Sequence, residues 1–231
     1  MAQTGKQAYA RNLLRNTKCA ILIVDVQNDY CHINGACAKS GKDVSAADSI
    51  INPTKKLLHI ARSYGIPVIF IQTVHEKSTD SEVWCRRMGG STGNICRRNT
   101  WGGEFYKLKP QVADIIVEKH RYSAFIGTKL ESVLSTLKVE TLLITGVATN
   151  VCVESTARDG YMLDYNVFLF EDCCAAFDLE EHKMALCNVD SYFGTVIKVD
   201  EFEEMMEENN NTDRKATGKR PSREKVLAAE V

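Results

Sequence analysis

The chain has 231 residues, 44% hydrophobic and 26% charged, with 29 basic and 30 acidic side chains and a formal net charge of −1. This is ordinary globular composition, long enough for one α/β domain with its own core and no need of disulfides. The charge balance leaves no footprint for nucleic acid, no apolar run reaches the ~20 residues of a membrane helix, and the polar start Met1-Ala2-Gln3-Thr4-Gly5-Lys6 lacks the apolar region of a secretory signal, so a soluble cytoplasmic protein is expected.

Residues 1–18 read as an N-terminal arm, loose or a short helix. Cys19-Ala20-Ile21-Leu22-Ile23-Val24-Asp25 is a continuous apolar run ending in an acid, as in a strand buried on both faces. Asp48 to Tyr64 carries apolar residues at helical spacing, with Gly65 at a helix C′ position and Pro67 just beyond. Strands follow at Val68–Ile71, Asp114–Val117, Thr141–Thr145, Asn166–Phe170 and Thr195–Val199. Helices lie between them near 128–137, 150–163 and 179–192, with a short last one near 201–207.

Six apolar strands alternating with helices predict an α/β fold: a three-layer αβα domain around a six-stranded, mostly parallel, Rossmann-like sheet. The domain is placed at 19–208, with a flexible or extended C-terminal tail at 209–231. The interval 76–109 breaks the alternation. It holds several glycines and both tryptophans, Trp84 and Trp101. Such an excursion serves as a substrate loop or as a packing insertion.

Ligands of open parallel sheets bind beyond the carboxyl ends of the strands. Asp25 ends the first strand, Lys119 follows the third and Cys152 follows the fourth, so all three face one sheet edge. The nine cysteines are odd in number and form no C-x-x-C pair, so free thiols are expected. Thr149 or Asn150 reads as an N-cap, which puts Cys152 in a first helical turn. The dipole and a nearby ammonium favour its thiolate there. The N–H groups of that turn suit an oxyanion. Asp25 is then placed to take the thiol proton and return it to a departing amine. Taken singly, Asp25 and Lys119 fit a structural ion pair beside a pocket better, and Cys152 a packed core thiol; their place together on one sheet edge is what weighs against those readings.

Three ordered stretches carry a resemblance: Ile23-Val24-Asp25-Val26-Gln27-Asn28-Asp29-Tyr30, Glu118-Lys119-His120-Arg121-Tyr122-Ser123-Ala124-Phe125 and Gly146-Val147-Ala148-Thr149-Asn150-Val151-Cys152-Val153. From about Cys19 to Phe202 the chain resembles the isochorismatase-like cysteine hydrolases, closest to the ureidoacrylate and carbamoyl amidohydrolase group. The resemblance implies an isochorismatase-like hydrolase fold and an Asp25-Lys119-Cys152 triad. It also implies a cis Val147–Ala148 peptide and an oxyanion hole from the N–H groups of Ala148 and Cys152. It implies a homodimer or homotetramer, no cofactor, and a small amide, ureide or carbamoyl substrate cleaved at a C–N bond through a Cys152 acyl-enzyme, with ammonia released. The alternatives are a nicotinamidase-like amidase for a cyclic amide, or a catalytically silent thiol-bearing member with Cys173-Cys174 as its oxidation site.

Nicotinamidases carry an Asp-x-His metal set after the second strand. Here Thr73-Val74-His75 stands there with no second nearby histidine, so no metal is expected and His75 is left to line the pocket. Tyr122 corresponds to a substrate-contacting tyrosine of the ureidoacrylate group, or packs in the core. Asn94, Arg97 and Arg98 suit a substrate carboxylate or ureide oxygen, although such residues more often form a solvated basic face.

Overall fold

A computed structural model describes residues 3–89 and 95–217. Helix α1 (Gln3–Asn16) precedes strand β1 (Cys19–Val24). Single turns α2 (Asn28–Cys31) and α3 (Ala36–Lys39) lead to α4 (Ile51–Ser63) and β2 (Val68–Thr73). Helix α5 (Glu82–Arg87) sits in the 76–109 excursion, before β3 (Ile115–Lys119) and α6 (Leu130–Leu137). Then come β4 (Thr141–Val147), α7 (Glu154–Met162), β5 (Asn166–Ala175), α8 (Leu179–Asn188), β6 (Thr195–Ile197) and α9 (Val199–Thr217).

The six strands lie in the order β3-β2-β1-β4-β5-β6 and every pair is parallel. The chain order reverses direction between β1 and β4, which is where a doubly wound sheet opens a crevice. Alternate side chains of the central strands enter two cores. Ile21, Ile23, Phe70, Leu143, Phe168 and Phe170 pack with residues of α1, α4 and α9. Leu22, Val24, Ile69, Ile71, Ile144 and Leu169 pack with residues of α6 and α7. Burial on both faces explains why these strands read as unbroken apolar runs.

Gly65 adopts φ 68° just after α4, as its position predicts. At the N-terminus the helical alternative is the one observed, and at the C-terminus the structure departs from the sequence reading. The arm is helical from residue 3, with Ala10 and Leu14 buried in the core. The last helix, expected near 201–207, extends to Thr217 and crosses the boundary placed at 208. Phe202 and Met205 anchor it in the core, and Arg11 of α1 pairs with Glu208 at 2.8 Å.

Candidate active site

Asp25, Thr73 and Lys119 stand at the carboxyl ends of β1, β2 and β3, and Cys152 lies just beyond β4. Parallel strands bring these ends to one edge, and Thr73 is in register with Lys119. Asp25 leaves its strand with φ 53°, a left-handed conformation that aspartate tolerates better than most side chains. Lys119 reaches across β2. Its Nζ lies 2.8 Å from Asp25 Oδ2 and 3.5 Å from Cys152 Sγ. Asp25 is 0%, Lys119 1% and Cys152 7% exposed.

Two residues not singled out from sequence complete the set. Thr73 Oγ1 donates to Asp25 Oδ1 at 2.8 Å and accepts from Lys119 Nζ at 2.8 Å. Its N–H is shared between Asp25 Oδ1 at 3.1 Å and Gln27 Oε1 at 2.8 Å. Gln27, fully buried, donates to the carbonyls of Thr73 and Gly103. The third Nζ donor goes to the Arg121 carbonyl at 2.9 Å.

Burial alone lowers the Lys119 pKa, but Asp25 and the Cys152 sulfur outweigh it and hold the lysine above its ordinary value. The Cys152 thiol goes the other way from the sequence expectation. Burial pushes its pKa well up, the Lys119 ammonium offsets part of this, and Asp25 adds to the rise. Burial thus works against the preformed thiolate that a helix start and an ammonium would favour.

The turn that carries Cys152 also differs from a capped α-helix start. The Val147–Ala148 peptide is cis. Ala148, not Thr149 or Asn150, holds the N-cap position, without a side-chain cap. Residues Thr149–Val153 form a wide π-type turn. The Ala148 carbonyl accepts from Val151 at 3.0 Å and from Val153 at 3.3 Å, so the Cys152 N–H is not drawn into the α-type bond to it. Thr149 Oγ1 instead meets His182 Nδ1 at 2.8 Å, and Asn150 donates to Glu181 at 2.8 Å, fastening the turn to α8. Gly146 is needed just upstream: with φ 121°, a Cβ there would fall 2.0 Å from the Val24 carbonyl oxygen on β1.

Of the residues expected to bind substrate, His75 is buried at the strand ends, stacked on Trp84 with ring centroids 4.2 Å apart. Burial lowers its pKa to about 4, with Asp80 opposing and Lys119 assisting, so the ring is neutral. Tyr122 is 52% exposed and does not pack in the core. Arg97 is engaged by Asp80 in a two-pronged pair at 2.8–2.9 Å, and Arg98 pairs with Glu76 and Glu118. Asn94 lies outside the described residues. A cleft of about 320 Å³ lined by Gln72, Arg97, Arg98, Thr100, Glu104 and Glu118 does not include the Asp25, Lys119 or Cys152 side chains. The chemistry therefore centres on the strand ends and not on that cleft. Tyr30 belongs to these surroundings too. Burial raises the pKa of its phenol, and Cys96, Asp25 and Cys152 add to the rise.

The excursion is fastened over this edge by the residues that follow Asp25. Asn28 donates to the Trp101 carbonyl at 2.7 Å. Asp29 accepts from Cys96 N–H at 2.7 Å and from Ala36 N–H at 2.9 Å.

The isochorismatase domain model matches residues 19–201. The chain is 36% identical over 200 residues to the ureidoacrylate amidohydrolase RutB of Yersinia enterocolitica, covering 79% of this chain and 86% of that protein. A solved cysteine hydrolase from Pseudomonas syringae pv. phaseolicola superposes with a TM-score of 0.74 at 27% identity, over 83% of this chain and 93% of that one. N-carbamoylsarcosine amidase from Thermoplasma acidophilum superposes with a TM-score of 0.66 at 25% identity, over 79% of this chain and 97% of that one. With the model covering most of its length and an all-parallel six-stranded sheet at its centre, this chain belongs to the isochorismatase family.

Proposed function

We propose that the protein is a cysteine amidohydrolase that cleaves a C–N bond of a small ureide or carbamoyl compound. The observation that carries this reading is the cluster of Cys152 Sγ, Lys119 Nζ and Asp25 Oδ2, with 3.5 Å and 2.8 Å separating successive members. In this reading the Cys152 thiol gives its proton to Asp25 as sulfur attacks the carbonyl carbon. Lys119 steadies the charge that sulfur carries on the way. The N–H groups of Ala148 and Cys152 receive the oxyanion. Asp25 returns the proton to the leaving nitrogen as the C–N bond breaks, and ammonia departs. Water, deprotonated by Asp25, then attacks the S-carbamoyl carbon; the C–S bond breaks, the carbamic acid leaves and Asp25 returns the proton to sulfur.

The similarity to ureidoacrylate amidohydrolases supports a ureide over a cyclic amide. A homodimer or homotetramer in the cytoplasm belongs to the same proposal; light scattering tests the assembly. No helix among the described residues is long and apolar enough to cross a membrane.

The test is ammonia release over a panel of ureides, carbamoyl amino acids and nicotinamide, with intact-mass analysis of the quenched enzyme. Turnover of a ureide or carbamoyl compound, with an acyl adduct on Cys152 that Cys152→Ala lacks, is the expected result. Turnover of nicotinamide alone rejects the substrate class. An active Cys152→Ala variant rejects the nucleophile.

A further inference from the structure

We propose that Thr73 is a positioning residue that makes the two oxygens of Asp25 unequal, holding Oδ1 and leaving Oδ2 to receive the thiol proton. This rests on the reading of Asp25 as the proton acceptor. Thr73 is 3% exposed and ends β2, between the strand that carries Asp25 and the strand that carries Lys119. Its hydroxyl has one proton. That proton is spent on Asp25 Oδ1 at 2.8 Å, while the hydroxyl oxygen takes a Lys119 proton at 2.8 Å. The Thr73 N–H adds a second donor to Oδ1 at 3.1 Å.

Oδ2 is placed differently. It takes no donor from Thr73; its near neighbour is Lys119 Nζ at 2.8 Å, which leaves the second of its two lone pairs for the thiol proton. The same ammonium also meets Thr73 Oγ1, the Arg121 carbonyl and Cys152 Sγ, at 2.8, 2.9 and 3.5 Å. One oxygen is thus held by two donors of Thr73, and the other faces the Lys119 ammonium that also meets the sulfur. Thr73 acts on both charges: it fixes the carboxylate through Oδ1, and its hydroxyl oxygen holds the ammonium.

Valine at this position keeps the shape and the strand preference but removes both hydrogen bonds. Oδ1 then loses its hydroxyl donor and Nζ an acceptor, so the carboxylate is free to rotate away from the orientation that serves the thiol. The step affected is proton transfer within the bound complex, so kcat suffers and substrate affinity does not. Misplacement of this kind costs on the order of 10- to 100-fold.

The experiment compares Thr73→Val, Thr73→Ser and Thr73→Ala in the full chain by steady-state ammonia release, with Cys152→Ala alongside. The expected result is a kcat lowered about 10- to 100-fold in Thr73→Val with KM within about threefold, and recovery of most of the rate in Thr73→Ser. Serine and alanine both lack the methyl group and differ only in the hydroxyl, so their ratio decides the matter even where valine does not fold. A Thr73→Val enzyme with the kcat of wild type, or a serine variant as slow as alanine, overturns the proposal. Either result leaves an inactive Cys152→Ala, and with it the cysteine mechanism, untouched. An active Cys152→Ala overturns the mechanism and this inference together.

Discussion

Lys119 Nζ lies 2.8 Å from Asp25 Oδ2 with 1% and 0% of the two side chains exposed, so each charge has the other as its main compensation. Removing one partner of a buried pair strands the other, which costs about 3–5 kcal/mol. Asp25→Asn is nearly isosteric and should lower the unfolding free energy by an amount in that range, measured by urea titration near neutral pH. The double variant Asp25→Asn with Lys119→Met strands no charge and should regain part of the loss. A double variant with the summed losses of its two parents would mean that the two side chains do not act as a pair.

The same two groups set the reactivity of Cys152. Burial and Asp25 keep the sulfur protonated, and Lys119 works against them. In the enzyme without substrate, carbamidomethylation of Cys152 should keep rising with pH into the alkaline range and show no plateau near neutrality. Lys119→Met removes the one favourable charge and should slow the reaction about tenfold at a given pH. Peptide mapping separates this thiol from the other eight. A pH-independent rate between pH 6 and 8 would mean that the resting sulfur is already an anion.

The central strands and three of these side chains could be read from sequence because burial on both faces leaves an uninterrupted apolar run, and the acid after Val24 stands out against it. Strand β5 outruns its apolar run. Glu171 and Asp172 break its apolar run, yet the strand continues to Ala175, with Asp172 accepting from the Val199 N–H at 3.2 Å. Thr73 carried no signal, since a threonine at a strand end is ordinary β chemistry. The turn at Cys152 was misread for a different reason. Thr149 and Asn150 have the chemistry of caps, but α8 supplies better partners in His182 and Glu181, and capping rules see only local neighbours. The thiol was expected to be acidic because a helix start and an ammonium are visible in a sequence, whereas the burial that outweighs them is not.

Gly102 tests how the excursion is fixed over the strand ends. A Cβ there would fall 2.0 Å from Asp29 Oδ2, and that carboxylate cannot swing aside without releasing the Cys96 and Ala36 N–H groups. Gly102→Ala should therefore cost about 1–3 kcal/mol. It should also lower turnover, because Gly103 next to it supplies the carbonyl that holds Gln27. Gly41→Ala is the comparison. Unlike Gly102, that glycine has positive φ, 85°, and nothing lies within 4 Å of its would-be Cβ, so its loss should reflect backbone strain alone and leave turnover unchanged. Equal turnover in the two variants would detach the excursion from the site.

His75 should give the protein a distinct acid sensitivity. Burial against Trp84 lowers its pKa from 6.5 to about 4, with Asp80 opposing and the Lys119 and Arg97 charges assisting. In the unfolded chain the imidazole takes up a proton as pH falls below about 6.5, while the native ring refuses it until about pH 4. The unfolded state thus binds more protons across that window. The contribution is complete above the unfolded value and is lost as pH falls through the native one. It amounts to something on the order of 2–3 kcal/mol. His75→Phe keeps an aromatic ring on Trp84 and removes the titrating nitrogen. Its unfolding free energy from urea titration should fall less than that of wild type between pH 7 and pH 4.5, by about 2–3 kcal/mol. Carboxylates elsewhere titrate alike in both proteins, so the difference between the two curves isolates the imidazole. Parallel curves would show that His75 is protonated in the native state as easily as in the unfolded chain, and that its stacked, buried position does not hold in solution.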